Sequence, residues 1–145
     1  MHCQNWTMES RPDLIDAWWQ YQRLTTGTRP ERLTADDWYW AWENVTAMIN
    51  DKDERVVELL VSLTESARSP EDVQTVGAGP IEDLLSEHGS WLATTEGSAM
   101  LDQLADISRT NKKFRQALGS VWHESGEIPL VVRERLIGLS TPMNT

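Results

Sequence analysis

The residues whose types and spacing could do chemistry are few. His123 and Glu124 are adjacent, a pair that supports acid–base work when both side chains reach one substrate atom. Glu82 and Asp83 are adjacent too, but neighbours on a helix diverge by about 100°, so their carboxylates rarely converge on one ion. Of the other histidines, His88 ends an apolar stripe and His2 stands beside Cys3. Structural zinc usually takes four ligands at characteristic spacing, and that pattern is missing, so no metal site is expected. Gly77-x-Gly79 lacks the lysine and the preceding strand of a phosphate loop and reads as a turn between helices. No Gly-x-Ser-x-Gly elbow occurs, although a spatially assembled Ser–His–Asp set stays open. These residues predict neither a catalytic residue nor a cofactor.

The elements that must position any site read as helices. Ser10 is the expected N-cap of the first, with Pro12 and Asp13 in its first turn and Leu14, Trp18 and Tyr21 at helical spacing, widened by Ile15 and Trp19. Thr25 to Pro30 is loop chemistry. Thr34 and Asp37 resemble a capping box, and Leu33 before them is placed to staple onto Trp38. Trp38, Trp42, Val45 and Ile49 then predict one continuous core face, with Trp40 pointing away from it. Asp53 introduces a helix that is apolar nearly all round, from Val56 to Leu63, and such a helix is central. Ser69-Pro70 starts one or two turns, Gly77-Ala-Gly-Pro80 breaks and restarts the chain, and Gly89 ends the next helix. In that reading Glu82 and Asp83 lie in a first turn, where the helix dipole favours them. Met100 to Ile107, Asn111 to Leu118 before Gly119, and Pro129 to Ile137 supply three more helices, with Val121 and Trp122 packing after Gly119. The expected fold is therefore all-α: six to seven helices in antiparallel pairs, as a bundle or a short α-solenoid-like stack. Residues 1–145 read as a single helical domain, with 1–9 and 140–145 as flexible tails.

Charge is the second signal. The net charge is −10 and the pI about 4.6. Met1 to Asp106 holds 20 acidic and 7 basic residues, whereas Ile107 to Thr145 holds 3 and 6. No Lys or Arg occurs between Arg68 and Arg109. Such a field repels nucleic acid and attracts basic partners, unless the basic C-terminal third neutralises it within the fold. With one cysteine, no apolar run of membrane-spanning length and no signal-peptide pattern, a cytoplasmic protein is expected.

Val76-Gly-Ala-Gly-Pro-Ile-Glu-Asp-Leu-Leu85, followed by Lys113-Phe-Arg-Gln-Ala-Leu-Gly119 and Val121-Trp122, resembles a bacterial family of small helical domains of unknown function. The shared features are a GPxEDLL turn and helix and an FRxALGxVW segment, and the resemblance spans roughly Trp38 to Leu136. It implies a helical domain and no particular activity. The Thr94 to Ser98 stretch is a departure that interrupts a helix.

The absence of catalytic motifs and the asymmetric charge together predict a non-enzymatic protein that docks on a basic partner, most concretely an immunity- or inhibitor-type protein covering a toxin. The expected surface is Asp36, Asp37, Glu43, Glu71, Asp72, Glu82, Asp83 and Glu87, with Trp40 and Trp91 as anchors. Two alternatives stand beside it: a small hydrolase using His123/Glu124 or Glu82/Asp83 in a cleft, and a self-associating scaffold that forms a homodimer.

Overall fold

The structure is a computed structural model that describes residues 13–121 and 128–140, with the side chains of the last helix described to Leu136. Among these residues every regular element is helical and no strand forms, so the fold is all-α, as the patterning predicts. The helices are α1 (Leu14–Thr25), α2 (Arg29–Thr34), α3 (Tyr39–Asn50), α4 (Val56–Glu65), α5 (Pro70–Val76), α6 (Glu82–Leu92), α7 (Ser98–Thr110), α8 (Lys112–Val121) and α9 (Leu130–Ser140). A 3-10 turn, Ala35–Trp38, leads into α3, and a π-helical segment, Gly77–Ile81, joins α5 to α6. The chain divides into two compact units, one up to Val45 and one from Thr46 onward.

In the first unit the helix starts differ from expectation. Asp13 caps α1, its carboxylate accepting the Ile15 N–H at 2.9 Å; Ser10, the expected cap, and Pro12 lie outside the described residues. Ala17, Trp18 and Trp19 form its buried face, with the two indoles edge to face at 4.9 Å. The capping box belongs to Thr28 and Glu31: the Thr28 N–H donates to Glu31 Oε1 (2.7 Å) and the Glu31 N–H to the Thr28 hydroxyl. Thr34 caps nothing, because its hydroxyl donates back to the Glu31 carbonyl at 2.8 Å. Leu33 is 71% exposed and forms no staple.

The buried face of the next helix is also rotated from the one expected. Ala41, Val45 and Ile49 are buried, whereas Trp42 is exposed. At about 100° per residue, Trp42 lies roughly 60° around the helix from Val45 and Tyr39 roughly 120° in the same sense. The stripe centres on Val45, and the inward place before it goes to the small Ala41 rather than to an indole.

The second unit is built around α4, which buries Val56, Val57, Leu59, Leu60 and Leu63 and packs against α5, α7 and α8. This is the central helix that its all-round hydrophobicity predicts. Its entry is held by Asp53, whose carboxylate takes the Arg55 guanidinium and backbone N–H, which hold its pKa down to about 2. Ser69 caps α5 through the Asp72 N–H (3.1 Å), as expected.

The chain does not break at Gly77-Ala-Gly-Pro80. Val76, Gly77, Ile81 and Glu82 all keep right-handed helical backbone angles, so Pro70 to Leu92 runs on through the π segment. Pro80 explains the wider turn. It has no N–H, and its ring would strike the carbonyl four residues back in a regular helix. Widening moves the Glu82 N–H onto the Gly77 carbonyl, five residues back, a bond it shares with the Gly79 carbonyl. Gly77 has a separate reason: a Cβ there would collide with the Ala117 carbonyl of α8, which crosses at that point.

Later punctuation is also tertiary. The helix expected to end at Gly89 continues to Leu92 over a kink at His88 (φ −119°, ψ 17°), where His88 Nε2 lies 2.7 Å from the Ile49 carbonyl. Gly89 admits Pro129, whose Cδ would sit 2.6 Å from an added Cβ. Gly119 does not stop α8, which continues to Val121; Trp122 lies outside the described residues. The turn across residues 93–97 separates α6 from α7, as the Thr94 to Ser98 stretch predicts. Finally α9 lays buried Val132 and Leu136 between α7 and α8.

Gly77→Ala forces one backbone off another and should cost about 1–3 kcal/mol. Gly79→Ala, with nothing within 4 Å of its added Cβ, should be neutral or stabilising by up to about 1 kcal/mol. Urea denaturation of the two single variants measures the contrast.

Candidate functional site

The acidic residues predicted as a surface fall into two groups, one in each unit. In the first unit Asp36 and Asp37 are exposed on the 3-10 turn, and Glu43 is exposed on α3. Asp36 and Trp42 stand three residues before and after Tyr39 and Glu43 four after it, so each lies about one turn from Tyr39, while Trp42 and Glu43 themselves diverge by about 100°. Tyr39 stacks on Trp42 at 5.4 Å and 19°, and Tyr21 of α1 meets Tyr39 edge-on at 5.8 Å. The Tyr21 phenol is pushed above its ordinary pKa, first by partial burial, then by Tyr39 and then by the Asp36 charge. That last influence brings a carboxylate to the aromatic cluster. Tyr39 is 39% exposed and Trp42 37%, so both rings of the stack reach the surface, near Asp36 and Glu43.

These anchors differ from those read in the sequence. Trp40 is half-buried, and its carbonyl accepts the Asn44 amide at 2.9 Å. Trp91 is half-buried in the second unit, with the Lys52 ammonium 5.3 Å from its ring centroid. Trp19 is buried, under the Arg23 guanidinium at 5.6 Å. Periodicity assigns Trp42 to the core and passes over Tyr39. The signal that would have found them is Ala41: a small residue on the inward arc leaves the large ones beside it facing out.

In the second unit the expected acids do different work. Asp72 is half-buried and structural, accepting the Arg68 N–H at 2.9 Å. Glu71 is exposed, and Glu82 is half-buried inside the continuous helix. With no helix start at this point, the expected dipole stabilisation of Glu82 and Asp83 is missing. Asp83 and Glu87 are exposed one turn apart on α6. The Asp83 carboxyl is pushed up from its ordinary pKa, first by the local loss of water and then by Glu87.

Four of the six basic residues of the C-terminal third are engaged elsewhere. Arg109 pairs with Asp106, and Arg135 with Asp102 at 2.9 Å. Lys113 donates to the Ala67 and Glu65 carbonyls, and Arg115 to those of Ser108 and Arg109. None of these bonds reaches an acid of the expected surface.

Two grooves open on the second unit. One, of about 590 Å³, has Glu58, Glu65 and Asn111 in its walls; the other, of about 440 Å³, lies between α5 and α8 with Arg68 and Lys113 in its walls. Neither of the two includes Glu82 or Asp83. His2, Cys3, His123 and Glu124 lie outside the described residues. No helix among the described residues is long and apolar enough to cross a membrane.

Fold and surface together define an all-α protein that carries exposed aromatic faces beside carboxylates. The chain belongs to the family of unknown function DUF6869, whose model matches residues 28–136. That span contains both segments on which the resemblance rests, and in the fold they touch: Gly77 of the first lies against Ala117 of the second. No curated protein and no solved structure matches the chain.

Asp83→Asn tests the like-charge pair. A raised carboxyl pKa means that the folded state holds its proton more tightly than the unfolded chain. Ionisation of Asp83 therefore costs stability, fully above its raised pKa and not at all below the ordinary carboxylate range. Removing the charge should stabilise the fold by a few tenths of a kcal/mol at neutral pH, an order of magnitude set by helical i,i+4 pairs. The gain should vanish below about pH 3.5, and thermal melts across pH 3–7 measure it.

Proposed function

We propose that this protein is a non-enzymatic binding module that docks on a basic partner protein through the acidic and aromatic surface of its first unit. The observation that carries the reading is the stacked, exposed pair Tyr39 and Trp42, with Asp36 and Glu43 each about one turn from Tyr39. Exposed aromatic faces give residence time, because they bury large area with few rotatable bonds. Carboxylates around them favour a guanidinium or ammonium laid flat on the rings and steer a basic protein into contact. Nucleic acid is disfavoured by the same charges. The most concrete form is an immunity- or inhibitor-type protein, acting in the cytoplasm, that covers the positively charged site of a toxin. Glu71, Asp83 and Glu87 of the second unit add to the long-range field that brings such a partner in.

The test is affinity capture from the native host at low and moderate salt, followed by titration of the recovered protein. A basic protein should be retained in stoichiometric amount, with affinity falling as salt rises. Trp42→Ala should weaken binding by about 2 kcal/mol or more, as hot-spot aromatics do. Asp36→Lys with Glu43→Lys should slow association about tenfold or more, while Glu96→Lys in the α6–α7 turn leaves it nearly unchanged. Unaltered binding after charge reversal at Asp36 and Glu43 would contradict the proposal.

A further inference from the structure

The 440 Å³ groove between α5 and α8 has a character opposite to that of the chain as a whole. Arg68 and Lys113 are 45 residues apart in sequence, yet both stand in its walls. Of its nine lining residues none is Asp or Glu, in a protein with 23 acids and 13 basic residues. Gln74, Gln116 and Ser120 supply neutral donors, and Pro70 and Val73 an apolar wall. The volume lies within the range of about 300–1,000 Å³ common for small-molecule sites, and an apolar lining with a few polar groups is their usual makeup.

Lys113 is the best-placed group. Its half-buried ammonium donates to the Ala67 carbonyl at 2.9 Å and to the Glu65 carbonyl at 3.3 Å. A lysine has three donors, so two bonds that fix the head leave one to offer. Two neutral carbonyls orient the charge without cancelling it. Arg68 is tied through its backbone N–H to the Asp72 carboxylate, while its guanidinium forms no ion pair among the described residues. The groove follows the seam that Gly77 permits: Ser120, whose Cβ would lie 3.0 Å from a Cβ at Gly77, is both a groove residue and a seam residue.

We infer that this groove binds a small organic anion, a carboxylate or phosphate headgroup on a short apolar body, with Lys113 and Arg68 on the headgroup and Val73 and Pro70 against the body. The groove lies within the second unit and does not rest on the docking reading.

Two-dimensional amide NMR of the full chain, titrated with phenyl phosphate, with benzoate and with sodium chloride at matched ionic strength, tests this. At least one oxyanion should produce saturable shifts confined to amides around Gln74, Lys113 and Ser120, and chloride none of that pattern. The two probes distinguish a phosphate ligand from a carboxylate. Gln74→Glu sets a negative charge in the opening at an exposed position and should weaken the responding probe at least fivefold. Arg68→Gln, also exposed, should weaken it similarly without lowering the melting temperature. Lys113→Arg keeps the charge and should retain binding within a few-fold. The inference is overturned if neither oxyanion saturates, if chloride reproduces the shifts, or if Gln74→Glu leaves the affinity unchanged.

Discussion

The second unit depends on one imide nitrogen. Pro80 stands in the middle of a helix that runs from Pro70 to Leu92, where a regular turn would leave a carbonyl without its donor and drive a ring into the backbone. The π-helical segment resolves both conflicts by moving the next available N–H one residue further back. Its consequence is positional. The widened turn lies where α8 crosses, and Gly77 leaves out the Cβ that would hold the two backbones apart. Phe114, Ala117, Leu118 and Val121 of α8 are then fully buried, and α4 and α9 close around them. The same crossing sets the wall of the α5–α8 groove, so a single backbone accommodation shapes both core and cavity.

In the first unit the corresponding constraint is side-chain volume. Ala41 on the inward arc of α3 directs the bulk of Tyr39 and Trp42 outward, where they stack on each other beside carboxylates. Trp42 stays 37% exposed although the same helix buries Ala41, Val45 and Ile49. Likewise Asp83 and Glu87 repel each other on α6, and the fold gains nothing from the pair. Features that local stability does not call for are where function is most readily sought.

Much of this architecture was legible from residue patterns. The all-round apolar run from Val56 to Leu63 announces a central helix, and Ser69-Pro70 announces a helix start, because each depends on local chemistry alone. Gly77, Gly89 and Gly119 look like local stops in the sequence, but Gly77 and Gly89 answer to distant chain: Ala117 in one case and Pro129 in the other. Gly119 sits inside a helix with open space around it. The Thr34–Asp37 capping signal lost to Thr28–Glu31, which has the better geometry with Pro30 inside the first turn. The candidate surface was legible as composition and as individual exposed acids. Its aromatic component was not, because Trp38, Trp42, Val45 and Ile49 fit helical periodicity as well as Ala41, Val45 and Ile49 do. Only the tertiary structure decides which of two overlapping arcs faces inward.

The central claim is that Tyr39 and Trp42 form a contact face for a basic protein, and hydroxyl-radical footprinting of the captured complex addresses it directly. Oxidation at Tyr39 and Trp42 should fall sharply on complex formation, while exposed Leu130 and Val131 of α9 keep their reactivity. If Trp42 is oxidised equally with and without the partner, the face is not the interface and the account of this surface fails.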